Sequence, residues 1–364
     1  MVVKDITNYI EELAPLSYAE DFDNVGLLVG NYNSKINGVL VTLDTLEETV
    51  DEAITNNCNL IVSFHPIIFG GLKKLNGNSY VERVVLKAIK NDIAIYATHT
   101  ALDNSLNGVS AKMCAVLGLK NNRILIPKKG IIKQLTTCTP LDNADNLKQK
   151  LFNAGAGSLG NYDNCAFTVN GSSTYRGNKN ANPKKGEKGK IHTEEETRIS
   201  VTFESRYEHA VLKALKNDNV YEEVAYELIT TENVYQNIGM GMIGELPEEM
   251  EEKDFLLFLK KTMQTNCVRH SNLINKKIKK VAVLGGSGSF AIDNAKRAGA
   301  DAYVSADFKY HEFFKAENSI LLADIGHYES EQFTKNLLVD YLTKKFSNFA
   351  IILSEKSTNP IYYI

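Results

Sequence analysis

Leu321-Leu322-Ala323-Asp324-Ile325-Gly326-His327-Tyr328-Glu329-Ser330-Glu331 is the stretch on which the reading of this chain turns. An apolar run of buried-strand type ends at a glycine. An imidazole and a carboxylate follow, four residues apart, where a helix would begin. At about 3.6 residues per turn, positions four apart share a helix face, so His327 and Glu331 can reach one ion. A capped, solvated first turn with an incidental histidine reads the same fragment equally well, and two earlier segments decide between them.

Leu60-Ile61-Val62-Ser63-Phe64 reads as a strand that delivers His65 and is stopped by Pro66. Ile93-Ala94-Ile95-Tyr96-Ala97 reads as the next strand and delivers His99, with Asp103 four residues on. Between them Tyr80 to Lys90 has helical periodicity, as do residues 4–15 and Thr45 to Asn56. Gly38 to Leu43 is a further strand, ending at Asp44. Strands alternating with helices predict a largely parallel sheet with helices on its faces, and ligands bind such sheets beyond the carboxyl ends of the strands. A lone histidine at a strand end is usually a hydrogen-bonded structural residue. Three strand ends that each deliver one reverse that reading and point to a metal held by histidine and carboxylate.

Composition narrows the options. A length of 364 residues fits two or three compact units, and a formal net charge of −3 with 43% hydrophobic residues gives no nucleic-acid footprint. No apolar run is long enough to span a bilayer and Met1-Val2-Val3-Lys4-Asp5-Ile6 lacks a signal-peptide core, so a cytoplasmic protein is expected. The five cysteines, Cys58, Cys114, Cys138, Cys165 and Cys267, are scattered and form no Cys-x-x-Cys pair. They read as reduced packing residues, which leaves any metal to imidazole and carboxylate ligands.

From about Ile131 the pattern changes to strand, helix, two strands, helix, strand. The successive elements are Ile131 to Cys138, Ala144 to Ala154, Cys165 to Val169, Glu196 to Phe203, Tyr207 to Asn217 and Glu222 to Ile229. This βαββαβ order is that of an α+β ferredoxin-like unit inserted into the first. The segment between its central strands carries Arg176, Lys179, Lys184, Lys185, Lys188 and Lys190 and reads as a solvated, mobile loop, with contact to an anionic ligand as the alternative. Gly239-Met240-Gly241-Met242-Ile243-Gly244 matches Gly-x-Gly-x-x-Gly, but Pro247 follows where a nucleotide-binding helix would open, so it reads as a linker back into the main domain. Gly285-Gly286-Ser287-Gly288-Ser289 follows a strand and precedes a helix. It is either an anion cradle or a tight strand-to-helix turn. The domains are then 1–128, 129–234 and 235–364, the first and third forming one discontinuous domain.

Ser63-Phe64-His65-Pro66-Ile67-Ile68-Phe69, Thr98-His99-Thr100-Ala101-Leu102-Asp103 and Gly326-His327-Tyr328-Glu329-Ser330-Glu331 together resemble the GTP cyclohydrolase 1 type 2 homologs, the NIF-three-like dinuclear-metal proteins. Asp23-Asn24-Val25-Gly26-Leu27 and Ser305-Ala306-Asp307-Phe308-Lys309-Tyr310-His311 resemble further signatures of that family. The inserted unit, with Ala154-Gly155-Ala156-Gly157, Gly160-Asn161-Tyr162 and Pro183 before Gly186, resembles the extra domain of the longer bacterial members, similar to nitrogen-regulator and divalent-cation-tolerance folds.

The resemblance implies two divalent ions in the main domain and toroidal homohexamers whose sites face an internal cavity. Carried over by position, the metal ligands are His65, His99, Asp103, His327 and Glu331. Where the family commonly has two adjacent histidines before the proline, this chain has Phe64 and His65, one ligand fewer. Such ligands suit zinc, manganese, iron or nickel. Asp103 and Glu331 are the bridging candidates, and a metal-activated hydroxide would suit hydrolysis of a nucleotide or other phosphate compound. Glu329, His311 and Tyr310 are candidates for proton transfer near the metals. The alternative is a metal-binding or regulatory ring protein without catalysis, its insert sensing a small molecule or gating the cavity.

Overall fold

Val39 and Val41 point to one side of a strand and Leu40 to the other, and all three are fully buried, as a strand covered on both faces requires. The computed structural model describes residues 1–158 and 160–364. Its strands, in chain order, are β1 (Gly26–Val29), β2 (Gly38–Thr42), β3 (Leu60–Ser63), β4 (Ala94–Ala97), β5 (Lys120–Lys128), β6 (Ile132–Pro140), β7 (Phe167–Tyr175), β8 (His192–Glu204), β9 (Tyr226–Thr230), β10 (Tyr235–Met250), β11 (Arg269–His270), β12 (Ile278–Ser287), β13 (Ala302–Ala306), β14 (Leu321–Asp324) and β15 (Ala350–Leu353). The chain divides into two compact units, one made of Met1–Pro127 with Gln236–Ile364 and the other of Lys128–Tyr235.

The sequence reading expects one largely parallel sheet in the discontinuous unit, and the unit has two. In the first, ordered β1-β4-β3-β2-β15, the last four strands run parallel and β1 is antiparallel at the edge. Helices Val3–Leu13 and Thr334–Lys345 cover one face, placing Ile6, Ile10, Leu338 and Leu342 against Val39, Val41, Leu60 and Val62. Helices Glu47–Thr55 and Tyr80–Lys90 cover the other with Val50, Ala53, Val84 and Ala88. Each such aliphatic side chain contributes roughly 1.5–3 kcal/mol on full burial. Ser79 starts the Tyr80–Lys90 helix by accepting a hydrogen bond from the Glu82 amide at 3.2 Å.

The second sheet, ordered β11-β14-β13-β12-β10-β5, has β12, β13 and β14 parallel, with β10 antiparallel to β12 and β11 antiparallel to β14. Gly239 to Gly244 is therefore not a linker; it lies inside the 16-residue strand β10. Its glycines reflect close packing, since a Cβ on Gly239 would lie 2.1 Å from the Ile126 carbonyl oxygen.

In the inserted unit the order is β6, helix Ala144–Asn153, β7, β8, helix Glu208–Asp218, β9. The sheet is antiparallel throughout and ordered β7-β8-β6-β9. Leu147, Leu151, Val211 and Leu215 of the helices pack on Leu135, Ile199, Val201 and Phe203 of the sheet. The six cations of the basic segment between β7 and β8 are exposed, as a solvated loop requires, and hydrogen bonds also tie the segment down. The Gly189 amide donates to the Gly177 carbonyl at 2.8 Å, the Tyr175 hydroxyl to the Lys185 carbonyl at 3.1 Å, and the Asn182 amide to Glu222 at 2.7 Å. Among the described residues no helix is long and apolar enough to cross a membrane.

Candidate metal centre

The ends of β3 and β4 are laced together by the backbone. The Thr98 amide donates to the Ser63 carbonyl at 3.1 Å, the His99 amide to the Phe64 carbonyl at 2.8 Å, and the His65 amide to the Leu43 carbonyl at 2.9 Å. His65 and His99 thus leave adjacent strands side by side, their ring centroids 5.4 Å apart. His99 opens the short helix His99–Asp103 with a φ of 26°, a left-handed value that side chains seldom adopt and that tends to mark functional sites. From the second sheet, β14 leads through Gly326 into the helix His327–Glu331, and the His327 ring lies 5.5 Å from that of His65.

Each imidazole is held from behind by its own carboxylate. Nδ1 of His65 lies 2.8 Å from Asp44, Nδ1 of His99 lies 2.7 Å from Asp23, and Nδ1 of His327 lies 2.7 Å from Asp307. Asp23 is itself fixed by the Thr100 amide at 3.0 Å and Asp44 by the Thr358 hydroxyl at 2.5 Å. A carboxylate on Nδ1 sets the ring's orientation and tautomer and leaves Nε2 as the free ligand atom. Nε2 of His65 and of His327 converge on Oε2 of Glu331, at 3.1 and 3.3 Å. Glu331 is 4% exposed, and its buried Oε2 has no hydrogen bond of good geometry. One ligand atom from each of these three residues falls within a 4.8 Å cluster that can hold a metal ion. Two oriented imidazole nitrogens beside a buried carboxylate oxygen are donors that suit a divalent cation.

Burial would push His65 down, but Asp44 and Glu331 on its two sides outweigh it and raise it to about 10. Burial likewise opposes Asp307 and Glu331 at His327, and the pair raise it to about 11. Glu331 is held at about 2, because the two imidazoles overcome its burial. Asp103 moves the other way, pushed well above the usual carboxylate range by burial and then by the charge of Glu331. Without a cation, protons take its place in this concentration of carboxylates.

The glycine pair, read as either an anion cradle or a tight strand-to-helix turn, makes room for this cluster. A Cβ on Gly286, where φ is +68°, would lie 2.4 Å from Oε1 of Glu331. The Gly286 amide donates to Oγ of Ser330 at 2.8 Å and is not free to take up an anion.

The model for Duf34/NIF3 (NGG1p interacting factor 3) matches residues 1–360. The chain belongs to the Duf34/NIF3 family. Among curated relatives, the Bacillus subtilis GTP cyclohydrolase 1 type 2 homolog is 36% identical, over 99% of this chain and 98% of its own length. The Staphylococcus aureus GTP cyclohydrolase 1 type 2 homolog is 32% identical over the whole of both chains. The crystal structure of a Bacillus cereus protein related to NIF3 covers 100% of this chain at 34% identity, with 99% of its own chain matched and a TM-score of 0.85.

Within this Duf34/NIF3 chain the five ligands named from sequence fall into two groups. His65, His327 and Glu331 close into one cluster, whereas His99 and Asp103 stand beside it and are not part of it. Phe64 is fully buried, with its ring 4.9 Å from that of His65 and 5.7 Å from that of His99. Glu329 is buried and accepts a hydrogen bond from Asn359 at 3.1 Å. Tyr310 and His311 lie on an exposed 3₁₀ turn, Tyr310–Ala316, where the His311 ring packs against Tyr310 and Phe314. Among the described residues, the hydrogen bonds and ion pairs of the three imidazoles go to Asp23, Asp44, Asp307 and Glu331, and none goes to His311 or Tyr310. Sequence reasoning took Asp44 as a strand end and Asp307 as part of a family signature, and gave neither a role at the site. The available signal was their position, each just past the carboxyl end of a strand neighbouring one that delivers a histidine.

Proposed function

We propose that this centre holds two divalent metal ions and that the protein is a metal-dependent hydrolase of a nucleotide or related phosphate compound. The observation that carries this reading is the convergence of two carboxylate-backed imidazoles, His65 and His327, on the unsatisfied Oε2 of Glu331. His65, His327 and Glu331 would hold one ion, and His99 and Asp103 the other, with Glu331 and Asp103 as the bridging carboxylates. Bound there, a divalent ion supplies Lewis acidity and brings the pKa of a bound water towards neutrality. Asp44, Asp23 and Asp307 keep the imidazoles oriented. The names of the curated relatives favour a purine nucleotide such as GTP as the first substrate to try.

The test begins with elemental analysis of protein purified without chelator, beside His65→Ala and His327→Ala. About two equivalents per chain, falling in both variants, are expected. Metal-free protein that also fails to bind added zinc or manganese would overturn the site. A screen of nucleotides and phosphoesters then separates enzyme from binding protein: Asp103→Ala and Glu331→Ala should abolish any turnover found.

The inserted unit is best read as ferredoxin-like, since its element order is βαββαβ and its sheet order, numbered within the unit, is 2-3-1-4. We further propose a homohexameric ring with the centres facing inward, to be checked by light scattering of the purified chain. A non-catalytic reading, in which the insert senses a small molecule, draws on a cavity in that unit.

A further inference from the structure

The inserted sheet has helices on one face only. Leu135, Ile199 and Val201 point to the helices, so Cys138 and Glu196, an odd number of positions along their strands, point to the other face. There the β7–β8 segment and residues 221–225 enclose a cavity of about 670 Å³. Glu196 lines it and is only 6% exposed.

A carboxylate this deeply buried calls for a cation, and three cations of β8 and the β7–β8 segment are engaged with other carboxylates. Arg198, two residues along β8, bonds Glu227 at 3.2 Å. Lys185 and His192 both pair with Glu194. Among the described residues Glu196 has no ion pair. Tyr175 and Tyr221 line the same cavity with their rings 6.4 Å apart and at 68° to one another. The Tyr221 hydroxyl is buried without a hydrogen bond of good geometry. Burial, then a hydrogen bond to Glu196 and its charge, push Tyr221 up, and burial and then the Glu196 charge push Cys138 up, which places both beside that carboxylate. The remaining lining includes Arg176 and Lys184, both exposed and without an ion pair among the described residues.

We propose that this cavity binds a small zwitterion, its ammonium group against Glu196 and the rings of Tyr175 and Tyr221, and its anionic group towards Arg176 and Lys184. A buried carboxylate flanked by aromatic faces selects a protonated amine through charge and cation–π attraction. The exposed guanidinium and ammonium groups take a carboxylate or a phosphate. The site belongs to the inserted unit and is independent of the metal centre.

Titration calorimetry on the full chain tests it. The probes are the twenty free amino acids and phosphoethanolamine, with putrescine as an amine lacking the anion and inorganic phosphate as an anion lacking the amine. Saturable binding of one zwitterion per chain is expected, and whether carboxylate or phosphate probes bind identifies the anionic group. Glu196→Gln should weaken it at least tenfold with metal content unchanged. Arg176→Ala, at an exposed position that does not threaten folding, should weaken it several-fold. Absence of binding by every zwitterion at millimolar concentration would overturn the proposal. So would undiminished binding by Arg176→Ala or by folded Glu196→Gln, or putrescine or phosphate binding as tightly as the best zwitterion.

Discussion

His65, His327 and Glu331 close around one point, while His99 and Asp103, one ring's width away, do not. Both groups have the same kind of support, a carboxylate on Nδ1 of each histidine. They differ in what stands next to them. The first gathers ligands from both sheets onto a carboxylate buried to 4% exposure. The second comes from the first sheet alone, and the side chain beside it, Phe64, offers a ring with no donor atom. Orientation of the imidazoles is built into both groups, whereas a closed cluster of three donor atoms forms in one.

Glu331→Ala should have the largest effect on this asymmetry, because it removes the carboxylate that both Nε2 atoms face. Metal affinity is expected to fall by more than the roughly 10–100-fold typical of losing an outer partner, read by titration with zinc or manganese. Retention of one full equivalent would break the comparison by showing that the second half binds alone.

Proton competition comes next. With His65 at about 10 and His327 at about 11, both imidazoles of the metal-free chain carry a proton at neutral pH. An entering cation displaces about two protons, so affinity rises with pH until those values are passed. Calorimetry in buffers of different ionisation enthalpy counts the protons, and release of none would place the ion away from this half. The sign is opposite for stability without metal. Raised histidines contribute in full below 6.5, and the contribution is lost as pH rises through about 10 and 11.

Asp307→Asn and Asp23→Asn separate the halves. Each is expected to cost about 10–100-fold in metal affinity, the first at the complete half and the second at the other. Equal loss of both ions in either variant would mean the halves load as a unit. The smallest effect expected is that of Phe64→His, a tightening of the second equivalent by about tenfold. The accompanying cost, about 1–3 kcal/mol for a buried ring nitrogen without a partner in metal-free protein, is read by denaturant unfolding.

Much of the scaffold was legible because its strands are short apolar runs punctuated by histidine, proline or glycine. Leu60 to Ser63 and the helix Tyr80–Lys90 stand where periodicity places them. What periodicity did not reveal was the division into two sheets, because β10 and β12 pair antiparallel across a glycine-rich strand that looks like a loop when read alone. At the site, His65, His327 and Glu331 announced themselves by strand-end position and four-residue spacing. Asp44 and Asp307 did not, since their partners His65 and His327 lie 21 and 20 residues away and only the parallel register brings them together. In the basic segment lysines and glycines signalled solvent, and its cations are exposed, but they carried no sign of the hydrogen bonds to Glu222 and within the segment itself.

His65, His99 and Asp103 precede the inserted unit, while His327, Glu331 and the strand that completes the first sheet, β15, follow it. During synthesis the early histidines emerge with no Glu331 to face and with their sheet lacking an edge, so an ion held by His65, His327 and Glu331 would be captured only when translation is nearly complete. Once seated, it would act as a staple between residues 65 and 327, closing a loop that contains the whole insert.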